Sequence, residues 1–171
     1  TKENDNSENT ELTEREKESD QSIDDLNTEV LVEDIDAKRE EIESRVTAIE
    51  PMTLSTEGMR EKIHQKWSKI HIYAENGEVL RVKTYPYEGI SQRTEEFYFT
   101  NEDLILAVIE DNGSGERGKS SGEIDKMYYY HEGLFIKERN QSSEKEYSIK
   151  KSESEELYQD AMEYLDLYRE N

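Results

Sequence analysis

Every aromatic side chain of this protein, its single Trp, eleven Tyr and three Phe, lies at or beyond Trp67, and from there apolar residues alternate with polar ones. Aromatic and β-branched residues at period two mark strands with a face turned to a core, so the core is expected in a sheet built by the last two thirds of the chain. Ser68 to Tyr73 puts Ile70 and Ile72 on one face. Asn76-Gly77 then supplies a two-residue hairpin turn, because both residues tolerate positive φ, and Leu80 and Val82 return on the matching face. Pro86 and Gly89 break the chain before Arg93 to Thr100, where Glu95, Phe97 and Phe99 alternate with Glu96 and Tyr98. Leu104 to Ile109 is apolar without interruption, which predicts a central strand covered on both faces. Lys126–His131 and Leu134–Arg139 make one more hairpin around Glu132-Gly133.

Two helices frame this pattern. Ile35, Ile42, Val46 and Ile49 recur at helical spacing between Ile23 and Glu50, and Pro51 stops the run. From Ser152 to Tyr168 a second stripe holds Leu157, Ala161, Tyr164, Leu165 and Tyr168, with Ser152 and Glu155 in capping-box spacing. The fold class expected is α+β: an antiparallel β-meander of about six strands over 66–140, with an N-terminal amphipathic helix over 23–50 and a C-terminal helix over 152–169 packed on one face of it. In 1–22 the only hydrophobic residue is Leu12, among eight acids and three bases, and such a segment cannot bury enough apolar surface to offset its ordering entropy. It is expected to be a disordered acidic tether ahead of a single domain over 23–171.

The charge balance narrows the partners. With 43 acidic against 22 basic residues the net charge is -21, and residues 1–50 hold 18 of the acids. So negative a surface repels phosphate backbones, so nucleic acid is excluded as an expected partner. The absence of Cys removes disulfides, thiolate nucleophiles and Cys-ligated metals. No H-E-x-x-H, nucleophile elbow or Walker A sequence occurs. Gly113, Gly115 and Gly118 have the spacing of a dinucleotide fingerprint, but Lys119-Ser120-Ser121-Gly122 continues the loop where that fingerprint needs a helix.

Two constellations remain. The glycine-rich stretch 111–125 offers Asp111, Asn112, Glu116 and Asp125 as hard oxygen ligands suited to calcium, without EF-hand spacing. Tyr128, Tyr129 and Tyr130 form the densest aromatic cluster, and Tyr128 and Tyr130 share a face. Together with Tyr85 and Tyr87 they are expected either to form a tyrosine-rich binding face or to pack beneath the helices. If that face is open, Tyr128→Ala with Tyr130→Ala leaves folding nearly intact while weakening a partner complex.

A local phrase recurs in three hairpins: Tyr73-Ala74-Glu75-Asn76-Gly77 leading to Leu80, Tyr98-Phe99-Thr100-Asn101-Glu102-Asp103-Leu104, and Tyr129-Tyr130-His131-Glu132-Gly133-Leu134. Cross-strand aromatic to aliphatic pairs beside a tight turn are enough to set register. With Arg60 to Trp67, Tyr85-Pro86 and Arg93 to Phe99, these residues resemble the hairpin-repeat meanders of bacterial MORN-like proteins, and look like exported lipoproteins of the Bacteroidetes type. The middle hairpin lacks the MORN glycine. The resemblance implies a periplasmic or cell-surface location, with contact with the membrane only through a lipid anchor if a lipid-attachment Cys precedes Thr1. The expectation is therefore a monomeric, non-enzymatic binding or structural module of the cell envelope, without cofactors, acting on an unidentified protein or envelope component. The alternative is a cytoplasmic, acidic immunity or antitoxin-like inhibitor, steered by its charge toward a basic toxin.

Overall fold

The computed structural model describes residues 8–89, 91–110, 126–140 and 151–171, with the side chains of 8–23, 151 and 152 left out. In chain order the elements are α1 (Glu8–Val46), β1 (Met52–Ser55), α2 (Glu61–Lys66), β2 (Trp67–Glu75), β3 (Glu78–Pro86), β4 (Thr94–Thr100), β5 (Asp103–Glu110), β6 (Lys126–His131), β7 (Leu134–Asn140) and α3 (Lys151–Glu170). The seven strands form one antiparallel meander in which each strand pairs with its neighbour in sequence. The strand beyond the expected six is β1: Met-Thr-Leu-Ser is a short period-two run, and it sets Met52 and Leu54 opposite Ile72 and Ile70.

The two long helices lie on opposite faces of the sheet, which corrects the expectation of both on one face. The reason is visible in the strands. Ile70, Ile72, Val82, Phe97, Phe99, Ala107, Ile109, Tyr128 and Tyr130 point to one side and pack with Leu157, Ala161, Tyr164 and Leu165 of α3. Leu80, Tyr98, Ile105, Leu106, Val108, Met127 and Tyr129 point to the other and pack with Val32, Ile35, Ile42 and Val46 of α1. Both faces of β4, β5 and β6 are apolar, so each needs its own cover, and β5 is buried along six consecutive residues as a central strand should be.

Each of the three recurring hairpins carries the same two devices. The turn pairs Asn76-Gly77, Asn101-Glu102 and Glu132-Gly133 all have positive φ at both residues, which matches the twist of the flanking strands. Three residues past each turn's second member sits an extra, bulged residue: the register steps from Tyr73↔Arg81 to Ala74↔Val79, from Tyr98↔Leu106 to Phe99↔Leu104, and from Tyr129↔Lys137 to Tyr130↔Phe135. The extra residues are Leu80, Ile105 and Ile136, and all three pack in the layer beneath α1. The phrase seen in the sequence is thus a structural repeat.

This repeat determines how α1 docks. Tyr98 and Tyr129 occupy the same place in successive hairpins, two strands apart, or about 9.6 Å at the usual strand spacing. Seven helical residues rise about 10.5 Å, so a helix laid across the strands meets them once every two turns. Accordingly the Tyr129 hydroxyl donates to Asp36 at 2.7 Å and the Tyr98 hydroxyl to Glu43 at 2.5 Å. Glu29, seven residues earlier, pairs with Lys137 on β7. Burial together with the Asp36 contact pushes the Tyr129 hydroxyl up to about 12, so it stays a donor at ordinary pH.

The helical backbone of α1 starts at Glu8, inside the 1–22 segment expected to be a tether; Glu, Leu, Arg and Lys are good helix formers, and Glu11 stands four residues before Arg15. The helix stops at Val46, ahead of Pro51, through turns in which Ala48 and Ile49 donate to Arg45 and Val46. No helix among the described residues is long and apolar enough to cross a membrane.

Candidate functional site

The four tyrosines singled out in the sequence do not form one face. Tyr128 and Tyr130 are 2% and 1% exposed, so of the two arrangements expected for them they take the one packed beneath a helix, and a binding face open around them is corrected to a covered one. Tyr130 packs edge-on against Phe135, and its hydroxyl donates to the Ser154 carbonyl at 2.7 Å. Tyr85 lies half-buried on the opposite face, with its ring 4.7 Å from that of His71 and the ammonium of Lys69 5.0 Å above it. Tyr87 follows β3, and its hydroxyl donates to the His64 carbonyl at 2.6 Å. Asp111, Asn112, Glu116 and Asp125 lie outside the described residues. Among the described residues no three His or carboxylate side chains converge as metal ligands. His64 is in α2 and His71 in β2, so they do not share one strand.

What the fold does assemble is a cleft of about 360 Å³ between α3, the end of α2 and the start of β4. Its walls are Glu153, Glu156, Leu157 and Asp160 of α3, Lys66 of α2, and Arg93 and Glu95 at β4. Glu95 is brought there by strand alternation. It shares parity with Phe97 and Phe99, so its carboxyl is carried onto the apolar α3 face and is only 1% exposed. Glu96, on the other parity, faces α1, where Lys83 at 2.9 Å and the Tyr98 hydroxyl at 2.7 Å hold it.

One oxygen of Glu95 is well served. Arg93 donates to Oε1 through Nε at 3.1 Å and Nη2 at 2.9 Å. The other, Oε2, is buried and has no hydrogen-bond partner among the described residues. A buried carboxyl oxygen left unpaired costs on the order of 1 to 3 kcal/mol, so its presence in a cleft wall is informative. Burial pushes the Glu95 carboxyl above its ordinary range, with Arg93 and Lys66 acting against that. Asp160, 4% exposed, is also raised by burial, against Lys62, Lys66 and Arg60.

Around this floor the charges are held in place. Arg93 continues to Glu153 at 3.5 Å, and Glu153 to Lys126 at 3.4 Å. Burial alone would raise Glu153, but the Tyr128 hydroxyl, Lys126 and Arg93 outweigh it and hold that carboxyl below its ordinary range. Tyr128 therefore supports the cleft from beneath. Lys62 pairs with Glu156, and Arg60 with Glu163, which pins α2 to α3 across the mouth. Lys66 makes no ion pair among the described residues; its ammonium stands 5.8 Å over the Trp67 ring. Four carboxyl groups and two cations line one opening, with a buried acceptor and a cation that both lack a hydrogen-bonded or ion-paired partner among the described residues.

The sequence carries a signal for this site in an acid at the core parity of an aromatic strand, Glu95 beside Phe97 and Phe99. Asp160 gave a weaker one, next to Ala161 on the apolar stripe of α3. Lys66 and Arg93 gave none, because only folding places them there.

Compared with protein families, curated proteins and solved structures, the chain matches none of them.

Proposed function

We propose that this protein is a non-enzymatic binding module of the bacterial cell envelope, and that its ligand site is the cleft between α3, α2 and β4. The observation that carries the reading is the unpartnered Oε2 of Glu95 in the wall of a cleft with an acidic excess. Such an acceptor is satisfied by an N–H donor brought in by a ligand, and a cationic donor suits the surrounding carboxylates. The envelope location rests on the likeness of the three hairpins to MORN-like repeats in exported lipoproteins. The test is calorimetric titration with n-butylammonium, a primary cation with a short apolar tail. Saturable binding that Glu95→Gln weakens at least tenfold supports the reading, and absence of saturable binding by any cationic probe overturns it.

A second reading is favoured by the solvent face of α1, where Asp24, Asp25, Glu33, Asp34, Glu40 and Glu41 are exposed. In that reading the protein is a cytoplasmic immunity or antitoxin-like inhibitor, and its acids dock a basic toxin. Affinity would then fall steeply with salt, and cleft variants would leave it unchanged.

A further inference from the structure

We infer that the cleft is built for a small zwitterion of amino-acid or dipeptide size, its ammonium received by Glu95 and its carboxylate by Lys66. This rests on the cleft being the ligand site and adds the class of ligand.

The argument is one of unmatched charges. Within the cleft most groups are already committed: Arg93 to Glu95 and Glu153, Glu156 to Lys62, and Asp160 to Arg60 at 3.9 Å. Two are left over. Glu95 keeps an oxygen with no hydrogen-bond partner among the described residues, although its side chain is only 1% exposed. Lys66 has no ion pair among the described residues, although Glu95, Asp160 and Glu156 are close enough for each to feel its charge. If the two simply paired, the cleft would be closed and neutral at that point. They line one opening without bonding each other, which is the arrangement met by a molecule that places a cation on the acid and an anion on the base.

Three further features fit. The volume, about 360 Å³, is enough for an amino acid and falls at the small end of ligand sites. Leu157 gives the wall an apolar strip for a side chain between polar ends. Burial raises both Glu95 and Asp160, and an arriving ammonium acts against that shift by favouring their ionised forms.

The test compares three probes on the full chain by titration calorimetry: L-alanyl-L-alanine, n-butylammonium and butyrate. The dipeptide is expected to bind at least tenfold more tightly than either singly charged probe. Lys66→Met, at an exposed position that does not endanger folding, is expected to abolish that advantage while sparing n-butylammonium. Glu95→Gln, checked for its fold by circular dichroism, is expected to weaken both ammonium-bearing probes. If n-butylammonium binds as tightly as the dipeptide, or Lys66→Met leaves the dipeptide advantage intact, the zwitterion assignment is wrong and the cleft reads a cation alone. If no probe binds, both this inference and the cleft as ligand site are overturned.

Discussion

Tyr128→Ala combined with Tyr130→Ala tests the placement of α3 most directly. Both rings are essentially inaccessible, at 2% and 1% exposure, in the layer that α3 covers. Truncating a buried aromatic to Ala costs about 3 to 5 kcal/mol, through lost transfer energy and the cavity left behind. Both rings also lean on Phe135, with centroids at 6.0 and 6.1 Å, so the losses are coupled and the pair is expected to cost about 5 to 8 kcal/mol. That is comparable with the whole stability of a domain, about 5 to 15 kcal/mol. Urea unfolding followed by fluorescence of Trp67, the single Trp and itself 2% exposed in the same cluster, reads the effect. With a urea dependence of about 2 kcal/mol per molar, Tyr130→Ala should lower the midpoint by about 1.5 to 2.5 M, and the double variant should be largely unfolded without urea. Tyr130→Phe removes only the hydroxyl that donates to Ser154 and should cost about 1 kcal/mol. A double variant with the midpoint of the parent protein would show that nothing covers this face and would restore the open tyrosine surface.

Two other outcomes follow from particular residues. Burial holds the Glu95 carboxyl above the ordinary value of 4.5, so the folded state keeps that proton more tightly than the unfolded chain. Its contribution to stability is full below pH 4.5 and is lost as pH rises through the folded value. Glu95→Gln has no such proton, so its stability relative to the parent should climb as pH rises from 4.5 through the folded value in urea titrations, and a difference independent of pH would contradict the raised carboxyl. At the β4–β5 turn Glu102 holds φ at +66° without being glycine, a conformation that costs an L residue roughly 1 to 2 kcal/mol. Its ion pair with Arg169 at 3.0 Å is exposed and worth less than about 1 kcal/mol, so Glu102→Gly should raise stability by about 0.5 kcal/mol, and a lower melting temperature would refute that balance.

Much of the meander was legible because its signals are local. Asn76-Gly77 and Glu132-Gly133 set turns, alternation set the strands around them, and the unbroken run from Leu104 to Ile109 announced a strand covered twice. Met52–Ser55 is not legible as a strand because four residues are too few for a period to stand out, and pairing with β2 supplies what the short run lacks. The tyrosine trio was ambiguous for a different reason. Alternation says that Tyr128 and Tyr130 share a face, but not whether a helix lies over it.

What the sequence determined by itself is therefore the set of strands, the three hairpins with their shared phrase, and the two amphipathic helices. Only the tertiary structure decided that the helices take opposite faces, since the stripes of α1 and α3 are apolar in the same way and local pattern does not say which side of a doubly apolar sheet each will cover. It also decided the cleft, which joins Lys66, Arg93, Glu95 and Asp160 from three elements. Charges so far apart in the chain become one site only when the burial of Phe97, Phe99 and Leu157 draws their backbones together, and that burial is a property of the packed layers.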